Sequence, residues 1–92
     1  MSFYLKDPAA RVDYGIDWAG QLDGRTIAAS SWSVEPDEEG GIAAEDASVA
    51  LSRTAARLTG GLAGHVYSVS NLVTLSDGSA DVRSITLRVE EK

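Results

Sequence analysis

The stretch Val12-Asp13-Tyr14-Gly15-Ile16-Asp17-Trp18 decides the fold class. Its even positions hold Val, Tyr, Ile and Trp, and its odd positions hold Asp, Gly and Asp. A period of two is that of a half-buried strand, dry on one face and wet on the other. On a helix the four large residues would spread around the axis. The alternation predicts a strand over about residues 10–19. Asp13 and Asp17 share its outer face about 13 Å apart, too far for a paired acid–base device. They keep that face solvated.

Similar patterns recur along the chain. Asp23-Gly24 reads as a turn. In Thr26 to Val34, rich in β-formers and small residues, Ser30, Trp32 and Val34 share one face while Ile27 has the opposite parity. A bulge between Ile27 and Trp32 would return Ile27 to the core side. Glu35 to Gly41 carries a proline, four acids and two glycines and reads as a loop. Ile42 to Glu45 is a short strand, followed by strands at Val49 to Ser52 and Thr54 to Thr59. Because Ala43 to Ala56 is alanine-rich, a helix across Glu45 to Leu58 is the competing reading. Gly60-Gly61-Leu62-Ala63-Gly64 is a glycine-rich loop before the longest β run, His65 to Leu75. Asp77-Gly78 supplies a hairpin turn. The last strand runs from Val82 to Val89, with Ile85, Leu87 and Val89 on one face, and Glu90 to Lys92 form a solvated tail. About seven short strands with regular turn signals indicate an all-β sandwich or barrel.

Size and composition narrow the function. A chain of 92 residues fits one domain. It buries somewhat over ~60% of its unfolded surface, which leaves little for a deep substrate cleft. With no cysteine, disulfides, thiolate metal sites and Cys nucleophiles are excluded. The net charge of −6 disfavours nucleic acid and anionic membrane surfaces as partners. No run approaches the ~18 apolar residues of a spanning helix. The start, Met1 to Pro8, lacks the basic and long apolar segments of a signal peptide, so the expected site of folding is the cytosol.

The residues able to carry chemistry are few. His65 is the one histidine, placed at a strand start without a neighbouring nucleophile motif. One His and no Cys cannot build a common zinc site. The glycines at 60–64 lack the Lys-Ser/Thr and helix of a phosphate loop. Asp37, Glu38, Glu39, Glu45 and Asp46 do not follow a calcium-loop pattern and read as solvated. Tyr14, Trp18, Trp32 and Tyr67 alternate with polar residues, which points them into the core rather than onto a sugar-stacking platform. Phe3 and Tyr4 fall outside the regular pattern, on an N-terminal arm of residues 1–9.

Two segments carry a resemblance. One is Asp13 to Trp18 with Asp23-Gly24-Arg25-Thr26-Ile27 and Ser31-Trp32-Ser33-Val34. The other is Gly64 to Asn71 with Ser76-Asp77-Gly78 and Arg83 to Val89. Together they resemble a family of short tailed-bacteriophage and prophage proteins described as fibre-tail adaptor-like or minor virion proteins. The Ala-rich, acidic middle, Glu35 to Ala56, departs from that pattern. Leu62, Gly64 and Tyr67 are also similar to the Leu-x-x-Gly-x-x-Tyr corner of fibronectin-type and bacterial immunoglobulin-like modules. There the Tyr ring fills the end of the sandwich and its hydroxyl bonds loop backbone.

The expectation is therefore an immunoglobulin-like antiparallel β-sandwich over residues 1–92, with Trp18, Trp32, Tyr67, Val69, Ile85, Leu87 and Val89 in the core. The resemblance implies a non-enzymatic module of a phage or prophage virion, assembled in the bacterial cytoplasm. It needs no cofactor, and its partners are other virion or tail proteins or a second copy of itself. Phe3, Tyr4 and Leu5, with the exposed strand edges, are the candidate contact residues. The competing function is a carbohydrate- or surface-binding immunoglobulin-like module.

Overall fold

The computed structural model describes residues 2–91, with side chains described from residue 4 onward. Two sheets face each other, antiparallel but for one parallel strand pair. One takes the order β1-β7-β6-β3 and the other β2-β5-β4. The strands are β1 (Ser2–Lys6), β2 (Val12–Asp17), β3 (Ile27–Glu35), β4 (Ile42–Ala50), β5 (Arg53–Gly60), β6 (Val66–Leu75) and β7 (Ala80–Val89). A single helical turn, α1 (Ala19–Leu22), follows β2. β2, β5 and β4 take the B, E and D places of an immunoglobulin sandwich, and β3, β6 and β7 the C, F and G places. The first strand joins the second group by running parallel to β7, with Tyr4 opposite Leu87 and Lys6 opposite Val89.

The predicted alternation holds along β2. Ile16 and Trp18 are buried and Tyr14 is partly buried, while Asp13 and Asp17 stay exposed. Val12, at the start of this edge strand, is exposed on the expected inner parity although Leu58 opposite it is buried. In β3 the register shifts between Ile27 and Ala29. That bulge lets Ile27 join Trp18, Val73 and Leu75 in one apolar cluster. A second cluster holds Ile42, Leu58, Tyr67, Val69, Ile85, Leu87 and Val89. Of the seven expected core residues, Trp32 alone is partly buried, packing against both clusters.

The Ala-rich middle is a β-hairpin, so the helical alternative does not form. Ile42 to Ala50 is one strand, not two short ones; it is interrupted by a bulge between Glu45 and Ser48, where Asp46 has φ 50°. β5 explains the outcome: Thr54, Ala56 and Leu58 are all buried on one face, a period of two that a helix cannot present. The strand total agrees with expectation although its members differ. The predicted strand at Val49 to Ser52 merges into β4 and a turn, and part of the expected arm becomes β1.

Polar groups tie the two sheets together. The Trp18 Nε1–H donates to Thr54 Oγ1 at 3.0 Å and to Asn71 Oδ1 at 3.2 Å. Thr54 Oγ1 also donates to Asn71 Oδ1, and Asn71 Nδ2 donates to Ser30 Oγ and the Ser31 carbonyl. Trp18, Thr54 and Asn71 are fully buried, and this network satisfies them across the core. At the other end Gly60, at φ 76°, lies so close to the Gly41 carbonyl that a Cβ would stand 2.7 Å from its oxygen. The Gly61 N–H donates to the Gly40 carbonyl at 3.0 Å, which fastens the loop at 36–41 to the end of β5.

Candidate interaction surfaces

Residues 2–6 form an edge strand of the four-stranded sheet. Leu5 is 57% exposed and lies opposite Arg88. Tyr4 is 44% exposed and meets the Tyr14 ring edge-on, with centroids 5.8 Å apart. The Phe3 side chain lies outside the described residues; its backbone registers with Thr86. Lys6 fixes the end of the strand. Its buried ammonium donates to the Gly60 carbonyl at 2.7 Å and to the Asp7 carbonyl at 3.0 Å. Burial pushes this ammonium below its usual pKa, against the pull of Asp7. The strand thus holds Tyr4 and Leu5 in place on the four-stranded sheet.

The tyrosine corner forms as expected. The Tyr67 hydroxyl accepts the Leu62 N–H at 3.1 Å and donates to Glu38 Oε1 at 2.5 Å. His65 Nδ1 lies 2.8 Å from the same oxygen, and its ring stacks on Tyr67. The Tyr67 hydroxyl, then the His65 hydrogen bond, holds the Glu38 carboxyl below its usual value, while burial and the carboxylate push the Tyr67 phenol up. His65 therefore has a charge partner that its sequence position did not reveal. The cluster lies against the fixed Gly40-Gly41 loop, so its geometry locks loop to strand. Among the described residues no three His, Cys, Asp or Glu side chains gather into a metal-binding group. Asp13 pairs instead with Arg57 at 3.0 Å, Asp46 lies 3.7 Å from Arg57, and Glu45 accepts from Thr59.

The two outer faces contrast. On the three-stranded sheet, Asp13, Asp17, Arg53, Arg57 and Glu45 make a charged surface on which Asp13 and Arg57 pair. On the four-stranded sheet, Ser31, Leu72 and Val82 lie side by side, as do Ser33, Ser70 and Ser84. Glu35 and Arg88 bring charge to that face only at one end. A slot of about 380 Å³ opens between β2 and β7 beside Tyr14, Ile16, Arg83 and Ile85. The Arg83 guanidinium sits 5.0 Å from the centroid of the Trp18 ring and donates to the Asp17 carbonyl. Trp18 and Tyr67 are fully buried and Tyr14 and Trp32 pack inward, so none of these rings forms a stacking platform.

The sequence pattern places Leu51 within a strand, Val49 to Ser52. Leu51 instead occupies a two-residue turn with φ 52° and is 94% exposed. No helix among the described residues is long and apolar enough to cross a membrane.

Compared with known protein families, residues 6–88 match the family described as Podophage GP4 fiber-tail adaptor protein gp77. The match spans the Ala-rich middle as well as the two flanking segments. No curated protein matches the chain in sequence.

Proposed function

Since the chain belongs to the podophage GP4 fiber-tail adaptor protein gp77 family, we propose that it is a non-enzymatic joint that holds tail and fibre components together by protein–protein contact. The family match over residues 6–88 carries this reading. The geometry supports it: a sandwich cross-linked through its core presents loops and edges on a rigid frame. Phe3, Tyr4 and Leu5 supply one contact surface. Among the described side chains Leu5 is the exposed aliphatic one on this surface, and β1 holds it without the ordering cost of a free arm.

Truncating the N-terminus is a poor test, because it removes a sheet strand and the Lys6 hydrogen bond to Gly60. Leu5→Asp changes an exposed side chain and leaves the strand in place. Wild-type protein on a matrix is expected to retain a purified tail or fibre protein of the same phage, and Leu5→Asp is expected to lose it at unchanged melting temperature. Retention of neither protein by the wild type would overturn the reading.

A further inference from the structure

Leu51 stands at the tip of the β4–β5 hairpin, where two disfavoured conditions meet. Its side chain is 94% exposed, and its backbone, at φ 52°, is left-handed. A single exposed leucine is ordinary on a protein surface. An exposed leucine at a left-handed turn position is not, since Gly or Asn would fit that turn without strain or hydrated apolar surface. Strained backbone of this kind clusters at functional sites, ligand clamps among them.

The surroundings extend the apolar character of the tip. Residues 47–52 read Ala-Ser-Val-Ala-Leu-Ser, without a charge, and Val49 is 46% exposed. The turn is also anchored. The Ser52 carbonyl accepts the Trp18 N–H at 2.8 Å, and the Trp18 indole is fixed by Thr54 and Asn71. Leu51 is thus displayed on a rigid mount.

Position completes the case. Leu5 lies opposite Arg88, which pairs with Val66 at the start of β6. The hairpin tip adjoins Trp18, which packs with Val73 and Leu75 at the end of β6. A ten-residue strand separates the two ends by about 30 Å, in a molecule 42 Å long. A joint needs two separate surfaces, and these two apolar side chains lie at opposite ends of the sandwich.

We propose that Leu51 is an apolar plug that seats in an uncharged, apolar pocket on a second virion protein, forming the joint opposite Leu5. The proposal rests on the adaptor reading. An uncharged pocket for the plug follows from residues 47–52, which carry no charge; the first charge after them is the exposed Arg53, opposite Ala50.

The test uses phage carrying Leu51→Gly or Leu51→Asn, with copies of the chain per purified particle counted by quantitative mass spectrometry. Both substitutions suit the left-handed turn, so the purified variants should melt at or above the wild-type temperature. The account expects several-fold fewer copies per particle. Wild-type occupancy by both variants would overturn the role of Leu51 and leave the adaptor reading standing. Absence of the wild-type chain from particles would overturn the adaptor reading itself. A lower melting temperature in both variants would show Leu51 to be structural. A wild-type dimer in sedimentation that Leu51→Gly abolishes would make a second copy the occupant, against the proposal.

Discussion

Trp18 Nε1 and Asn71 Oδ1 meet at 3.2 Å in the middle of the core, joining the end of β2 to the centre of β6 and so one sheet to the other. Thr54 completes the triangle from β5. A buried polar network of this kind is stabilising only while every member is satisfied, because each orphaned group retains its full desolvation cost. The same triangle fixes the sheets relative to each other, which a joint between two large partners requires.

Asn71→Ala leaves the Trp18 indole N–H with one acceptor and strips Ser30 and the Ser31 carbonyl of their donor. The expected loss is about 2–4 kcal/mol, measured by chemical denaturation. A loss under about 0.5 kcal/mol, the range of ordinary surface changes, would show that the network does not hold the sheets together.

The corner at Tyr67 gives the fold an acid limb. Glu38 sits below its ordinary value of 4.5, first through the Tyr67 hydroxyl and then through His65. A depressed carboxylate stabilises the fold above its unfolded pKa and loses that contribution as pH falls through the folded one. Asp77 behaves likewise, held at about 2 by the Ser79 hydroxyl and N–H and by Arg25. Melting temperature should therefore fall as pH drops from 4.5 toward about 2. Tyr67→Phe removes the main cause at Glu38 and leaves the Leu62 N–H without its acceptor. The variant should melt below wild type at neutral pH, and the gap should narrow as pH falls below 4.5. A gap constant across pH would mean that Glu38 does not contribute through Tyr67.

Two glycines separate backbone constraint from side-chain crowding. At Gly60 an added Cβ meets the Gly41 carbonyl oxygen at 2.7 Å with φ at 76°. Backbone must move to admit it, so Gly60→Ala should cost about 2–4 kcal/mol. At Gly15 the added Cβ meets the Arg53 guanidinium at 2.5 Å. That group ends a flexible exposed side chain and can swing away, so Gly15→Ala should stay within about 0.5 kcal/mol. Denaturation of the two variants checks the contrast, and equal losses would contradict it.

The parts of the fold visible in the residue pattern are those where one face is buried along a whole strand. β2, β6 and β7 show their alternation directly, and Ile27 betrays its bulge by having the wrong parity for a core residue. β1 is not legible in the residue pattern because its support is remote: a parallel partner at the far end of the chain and a buried lysine bound to Gly60. Neither leaves a local pattern. β4 was legible only in pieces, since the left-handed Asp46 breaks its alternation midway. Leu5 was accessible to sequence reasoning as an apolar residue outside the core pattern. Leu51 was hidden, because an apolar residue two positions after Val49 reads as strand until the turn is seen.

The adaptor account is tested most directly by the ratio of fibre to tail protein in purified particles assembled without this chain. If the chain joins the two, such particles keep their tails and lose their fibres, and the ratio falls close to zero. A ratio equal to that of wild-type particles would contradict the account.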